Sequence, residues 1–89
     1  MLPLPVYSIE FTKQADKALD KMPRNTRLLV VEKIKQLARD PFGAANVKQL
    51  VGRPGYRLRV GDWRVIYDVE SRRLVVRVLK IGSRAEVYE

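Results

Sequence analysis

The side chains in this sequence best suited to chemistry are Arg57, Arg59 and Arg64, all within Gly55-Tyr-Arg-Leu-Arg-Val-Gly-Asp-Trp-Arg-Val-Ile-Tyr67. A guanidinium is a planar fork that keeps its charge and pairs two-pronged with phosphate. Several on one surface therefore suit anion recognition and the stabilisation of charge building on phosphoryl oxygens. They do not suit proton abstraction, because a guanidinium pKa lies above about 12. The spacing gathers them. Period-two alternation sends Tyr56, Leu58 and Val60 to one side of a strand and Arg57 and Arg59 to the other. With Gly61-Asp62 as a two-residue loop of the type II′ pattern, Val60 faces Trp63 and Arg59 lies opposite Arg64. Like charges in that position destabilise a sheet, so an anion belongs there.

Composition narrows the choice of anion and of chemistry. The chain has 89 residues, 18 of them Lys or Arg against 10 Asp or Glu, for a net charge of +8, which points to a polyanionic partner. The excess leans toward the strands: residues 47 to 89 hold ten basic and five acidic side chains, residues 1 to 46 eight and five. There is no cysteine and no histidine, which removes disulfides, thiolate sites, the commonest zinc ligand and the usual near-neutral acid or base. Any catalysis falls to Arg, Lys, Tyr, Asp or Glu. The length predicts one domain over residues 1–89 with room for one core and one site. No targeting segment and no membrane span are visible, so a cytoplasmic protein is expected.

The elements that must position the arginines follow from the pattern. Val6 to Phe11 alternates as a first strand, and Thr12 is placed to cap a helix whose apolar stripe is Phe11, Ala15, Ala18, Leu19 and Met22. Pro23 ends it and can open a second helix running to about Arg39, with Leu28, Val31, Ile34, Leu37 and Ala38 on one face. Phe42 to Pro54 reads as a connection, and strands follow at Tyr56 to Val60, Trp63 to Val69 and Leu74 to Ile81. The expected fold is α+β in the order β-α-α-β-β-β, a helical hairpin packed on one face of a mainly antiparallel sheet. Arg57, Arg59 and Arg64 occupy the open face, whereas Tyr56, Trp63, Val65 and Tyr67 point to the helices. By simple alternation Arg77 and Lys80 fall on opposite faces, so at most one can join the cluster, and neither is counted in the candidate site.

Pro54 to Tyr67, followed by Leu79-Lys-Ile-Gly-Ser-Arg-Ala-Glu-Val-Tyr88, resembles the RelE branch of the RelE/ParE toxin superfamily. The likeness includes Leu19-Asp-Lys-Met-Pro23, Leu37-Ala-Arg-Asp-Pro41 and Lys48-Gln-Leu-Val-Gly52, so it spans nearly the whole chain. It implies the toxin of a bacterial toxin–antitoxin pair, an mRNA interferase that enters the ribosomal decoding site and cuts by attack of a ribose 2′-hydroxyl on the next phosphate. No metal or other cofactor is implied. Matched by position, the catalytic set is Arg57, Arg59, Arg64, Arg84 and Tyr88; Gln49 stands where some relatives have a further lysine, and Lys48 beside it and Arg53 are the candidate RNA contacts. Tyr88 can stack on a base, orient a hydroxyl or close the core edge, and Glu86 is the nearest carboxylate for proton transfer. Arg53, in a loop, suits phosphate contact or plain solvation. The chain departs from many relatives at Ser83 and Ala85, which stand in place of a histidine and a second basic residue.

The resemblance further implies a cognate antitoxin with an acidic segment, action on the ribosome and mRNA, and contact with operator DNA only through the antitoxin. The alternative within the superfamily is a ParE-like inhibitor of DNA gyrase that binds without cutting RNA. Such an inhibitor has no need of Arg59, Arg64, Arg84 and Tyr88 together.

Overall fold

The structure is a computed structural model and describes residues 6–85. Its elements are β1 (Ser8–Phe11), α1 (Lys13–Asp20), α2 (Arg24–Leu37), β2 (Val47–Gln49), β3 (Tyr56–Val60), β4 (Trp63–Glu70) and β5 (Val75–Ser83). The strands form one five-stranded sheet in the order β1-β5-β4-β3-β2, with β1 parallel to β5 and every other pairing antiparallel. This is the α+β arrangement expected from the pattern, with two differences. The connection from Phe42 to Pro54 contains β2, a three-residue strand paired with β3. Local pattern does not reveal it, because so short an edge strand is defined by its partner. The first strand begins at Ser8 and takes the far edge beside β5, where a parallel partner is reached only through a long connection.

Two helices cover one face. Thr12 caps α1 as expected, its Oγ1 accepting the Ala15 N–H at 3.2 Å and donating to the Leu79 carbonyl at 2.7 Å. The Gln14 amide then takes the place of a rung that β1 is too short to supply: it accepts from Ile81 N–H at 3.0 Å and donates to the Ile81 carbonyl at 3.1 Å. Ala15, Leu19 and Met22 are buried. In α2 the buried face is Val30, Ile34 and Leu37, at i, i+4 and i+7, and Pro23 is the residue before the first turn. The stripe drawn from Leu28 is thereby corrected. Leu28 is 55% exposed, because Val30 fixes the rotation of the helix about one residue away from it. Each fully buried Val, Leu or Ile contributes about 1.5–3 kcal/mol relative to an exposed one. Among the described residues no helix is long and apolar enough to cross a membrane.

Tyr67 lies at the centre of the core. Its ring stacks against Tyr56 at 5.5 Å between centroids, and its hydroxyl donates to the Pro41 carbonyl at 2.6 Å. Burial, then the nearby Tyr56 and Asp40, push its pKa up, so it stays neutral at all ordinary pH. Gly55 approaches the same strand. Its φ is 115°, and a Cβ there would lie 3.1 Å from the Tyr67 carbonyl oxygen and 3.2 Å from Leu50 Cδ1. Gly55→Ala is therefore expected to lower stability by about 1–3 kcal/mol in urea unfolding. A midpoint equal to that of the wild type would mean that the β3 entrance relaxes freely.

The hairpin has the expected register. Val60 pairs with Trp63, Arg59 with Arg64, and of the two loop residues only Gly61 has a positive φ, 58°. Further along, β4 and β5 slip by one: Ile66 pairs with Lys80 but Tyr67 pairs with Val78, leaving Leu79 as an extra residue. The slip corrects the expectation for β5. Val76, Val78 and Ile81 all face the helices, and Arg77 and Lys80 share the open face. Thr12 satisfies the carbonyl of the bulged Leu79.

Candidate functional site

The open face of the sheet is divided by charge. Toward β1 and the β4–β5 turn, Arg73 and Arg77 have acidic neighbours. Arg77 Nε and Nη2 donate to the two Asp68 carboxylate oxygens at 2.9 and 3.2 Å, and Arg73 Nε lies 3.1 Å from Glu70 Oε1. The hydrogen bond and charge of Asp68 push the Arg77 pKa up from its already high value. Glu10 and Glu70 complete the lattice at 3.9 Å from Arg73 and Arg77 respectively. These groups neutralise one another, and being exposed they add little stability.

Toward β2 a second group of cations gathers. Arg57, Arg59, Arg64, Arg84, Lys48 and Asn46 line one open groove of about 960 Å³. The hairpin puts Arg59 beside Arg64, and the β2–β3 register puts Lys48 beside Arg57. Arg84 arrives from the end of β5, where its backbone N–H donates to the Asp62 carbonyl at 2.8 Å and ties it to the hairpin loop. The hydrogen bonds of Arg59 and Arg64 go to neutral acceptors. Arg59 Nη2 donates to Asn46 Oδ1 at 3.3 Å, and Arg64 Nη1 donates to the carbonyls of Gly61 at 2.9 Å and Trp63 at 3.0 Å. Neutral partners fix the guanidinium groups without cancelling their charge, which leaves the remaining N–H donors for an oxyanion. Arg57 and Arg64 are half-buried and Arg59 is exposed.

Of the residues expected from sequence, Arg57, Arg59, Arg64, Arg84 and Lys48 thus converge on one groove. Arg53 is exposed in the loop before β3 and is not among the residues lining it. Tyr88, with Glu86, lies outside the described residues. Trp63 and Tyr67 belong to the helix side of the sheet, as their parity requires. Asn46 escaped the sequence reading. It has a positive φ of 66°, and only the fold brings its oxygen to Arg59. Among the described residues no three carboxylates are grouped to hold a metal ion.

A groove of this kind can bind a phosphodiester and stabilise charge on it, and comparison with known proteins bears on which one. Residues 9–88 match the family model described as the ParE toxin of the type II toxin–antitoxin system, parDE. Toxin RelG of Mycobacterium tuberculosis is 29% identical over 85 residues, covering 92% of this chain and 95% of that protein. The crystal structure of the archaeal RelE–RelB complex from Pyrococcus horikoshii matches with a TM-score of 0.79 and 31% identity, covering 92% of this chain and 99% of that one. The intact E. coli RelBE toxin–antitoxin complex matches with a TM-score of 0.76 and 26% identity, over 86% of this chain and 95% of that one.

Proposed function

The chain belongs to the ParE toxin family of type II toxin–antitoxin systems and has a RelE-like fold, and from that premise we propose that it cuts messenger RNA on the ribosome. The observation that carries this reading is the convergence of four arginines and Lys48 on one groove, two of the arginines held by neutral acceptors. In the proposed reaction the 2′-hydroxyl oxygen forms a bond to the adjacent phosphorus and loses its proton. The P–O5′ bond breaks, the departing oxygen takes up a proton, and a 2′,3′-cyclic phosphate is left. Arg59 and Arg64 hold the phosphoryl oxygens as their charge grows in the transition state, and Arg57 and Arg84 add to the field. Arginine does not take the 2′ proton, for the reason of its pKa. Tyr88 remains the proposed base-stacking and hydroxyl-orienting group.

The proposed partner is a cognate antitoxin. RelE in the P. horikoshii and E. coli structures is bound to RelB, and a chain of net charge +8 suits an acidic segment laid over the arginines. The second reading, inhibition of DNA gyrase by binding, has the ParE name of the matching family model in its favour.

The test is addition of purified protein to ribosomes programmed with a defined message, mapping of the transcript ends, and a parallel gyrase supercoiling assay. Cuts within the decoding site with supercoiling unaffected are expected. Intact message together with loss of supercoiling would replace the nuclease reading with the gyrase one.

A further inference from the structure

The bulge in β5 places a cation where strict alternation would not. Lys80 pairs with Ile66, Ile66 with Arg57 and Arg57 with Lys48, so the four form one row across β5, β4, β3 and β2. Directly paired residues share a face, which puts Lys48, Arg57 and Lys80 together on the open side. Strands lie about 4.7–4.9 Å apart, so Lys80 stands roughly 10 Å from Arg57 along that row. Ile66, between them, is only 5% exposed, so the row has an apolar floor flanked by cations.

Lys80 also differs from its neighbour on the same face. Arg77 is engaged by Asp68 and Glu70, whereas Lys80 is exposed and, among the described residues, has no carboxylate within 4 Å. Arg77 and Lys80 thus differ in their pairing although only the bulge separates them along the strand. Resting on the nuclease reading, we infer that Lys80 is a further phosphate contact and that the RNA backbone crosses the strands along the row from Lys48 to Lys80. The Asp68–Arg77 pair lies in a neighbouring row of the same face and borders this track with carboxylate, which repels a polyanion. The row thus adds Lys80 of β5 to the residues that line the groove.

The test uses the full chain and a short single-stranded RNA carrying a 2′-deoxy substitution at the cut site, with affinity measured by anisotropy across a salt series. Each phosphate contact on a single strand contributes about 0.7 to the slope of log affinity against log salt. Lys80→Gln is expected to lower the slope by about 0.7, Lys80→Arg to restore it, and Lys35→Gln, on the far side of the sheet, to leave it unchanged. In ribosome-dependent cleavage the same substitution should raise KM several-fold with little change in kcat. A wild-type protein that cuts message, together with Lys80→Gln retaining the wild-type slope and KM, would overturn the Lys80 assignment alone. A wild-type protein that neither cuts message nor binds the oligonucleotide would overturn the nuclease reading and the track with it.

Discussion

Arg64→Ala is expected to lower the single-turnover rate of message cleavage on programmed ribosomes by about 10²–10³-fold, the usual cost of removing one preorganised donor to a developing oxyanion. The expectation follows from how Arg64 is held. It is half-buried, its Nη1 is spent on the Gly61 and Trp63 carbonyls, and its other donors face the groove shared with Arg57, Arg59 and Arg84. The effect should appear in kcat more than in KM, because charge on the phosphoryl oxygens is greatest in the transition state. Arg64→Lys should recover little, since an ammonium has the charge without the fork. Stability should change by no more than about 1 kcal/mol, because losing two surface hydrogen bonds is offset by removing a like charge opposite Arg59. A variant that is folded and cuts at the wild-type rate would remove Arg64 from the scissile phosphate.

Tyr67→Ala should have the largest effect on the fold, about 3–5 kcal/mol. At about 0.05–0.15 kcal/mol per residue, a chain of this length has on the order of 4–13 kcal/mol in all, so much of the margin would go. Two contributions can be separated. Tyr67→Phe keeps the stack on Tyr56 but leaves the buried Pro41 carbonyl without its donor, and about 1–3 kcal/mol should be lost. Alkali supplies an independent check. A tyrosine in the unfolded chain loses its proton near pH ~10, while burial raises the folded value above that. The folded state therefore favours the protonated form. Its advantage is complete below pH ~10 and is lost as the pH rises further. Tyr67→Phe should lack this component of the alkaline decline. Equal urea midpoints for the phenylalanine variant and the wild type would mean that water replaces the hydroxyl at Pro41.

The local rules that succeeded in the sequence concern neighbours along the chain. Thr12 before α1, Gly61-Asp62 between β3 and β4, and the alternation of Tyr56 to Val60 each depend on residues within a few positions, and each appears as read. Hence the pairing of Arg59 with Arg64, at the centre of the candidate site, was legible. What was not legible depends on distant partners. β2 exists because β3 lies beside it, and β1 joins β5 across nearly the whole chain. Leu28 and Val30 are equally apolar, and only packing against the sheet decides that Val30 is buried. The placement of Lys80 did leave a trace: Val78-Leu79, two apolar residues in succession between Arg77 and Lys80, breaks the period of two, as a bulge must.

The junction at Leu79 makes β5 a strand with a phase. Before it, one parity faces the helices; after it, the other does. Deleting that residue would rotate the downstream segment by half a turn and aim Lys80 into the core, with no change in the identity of any cation. It would also take away the carbonyl to which Thr12 donates, so the start of α1 and the aim of Lys80 are set by the same insertion. When related chains are aligned through this strand, the informative character is therefore its length: a gap of one here exchanges the inner and outer faces of everything from Lys80 to Ser83.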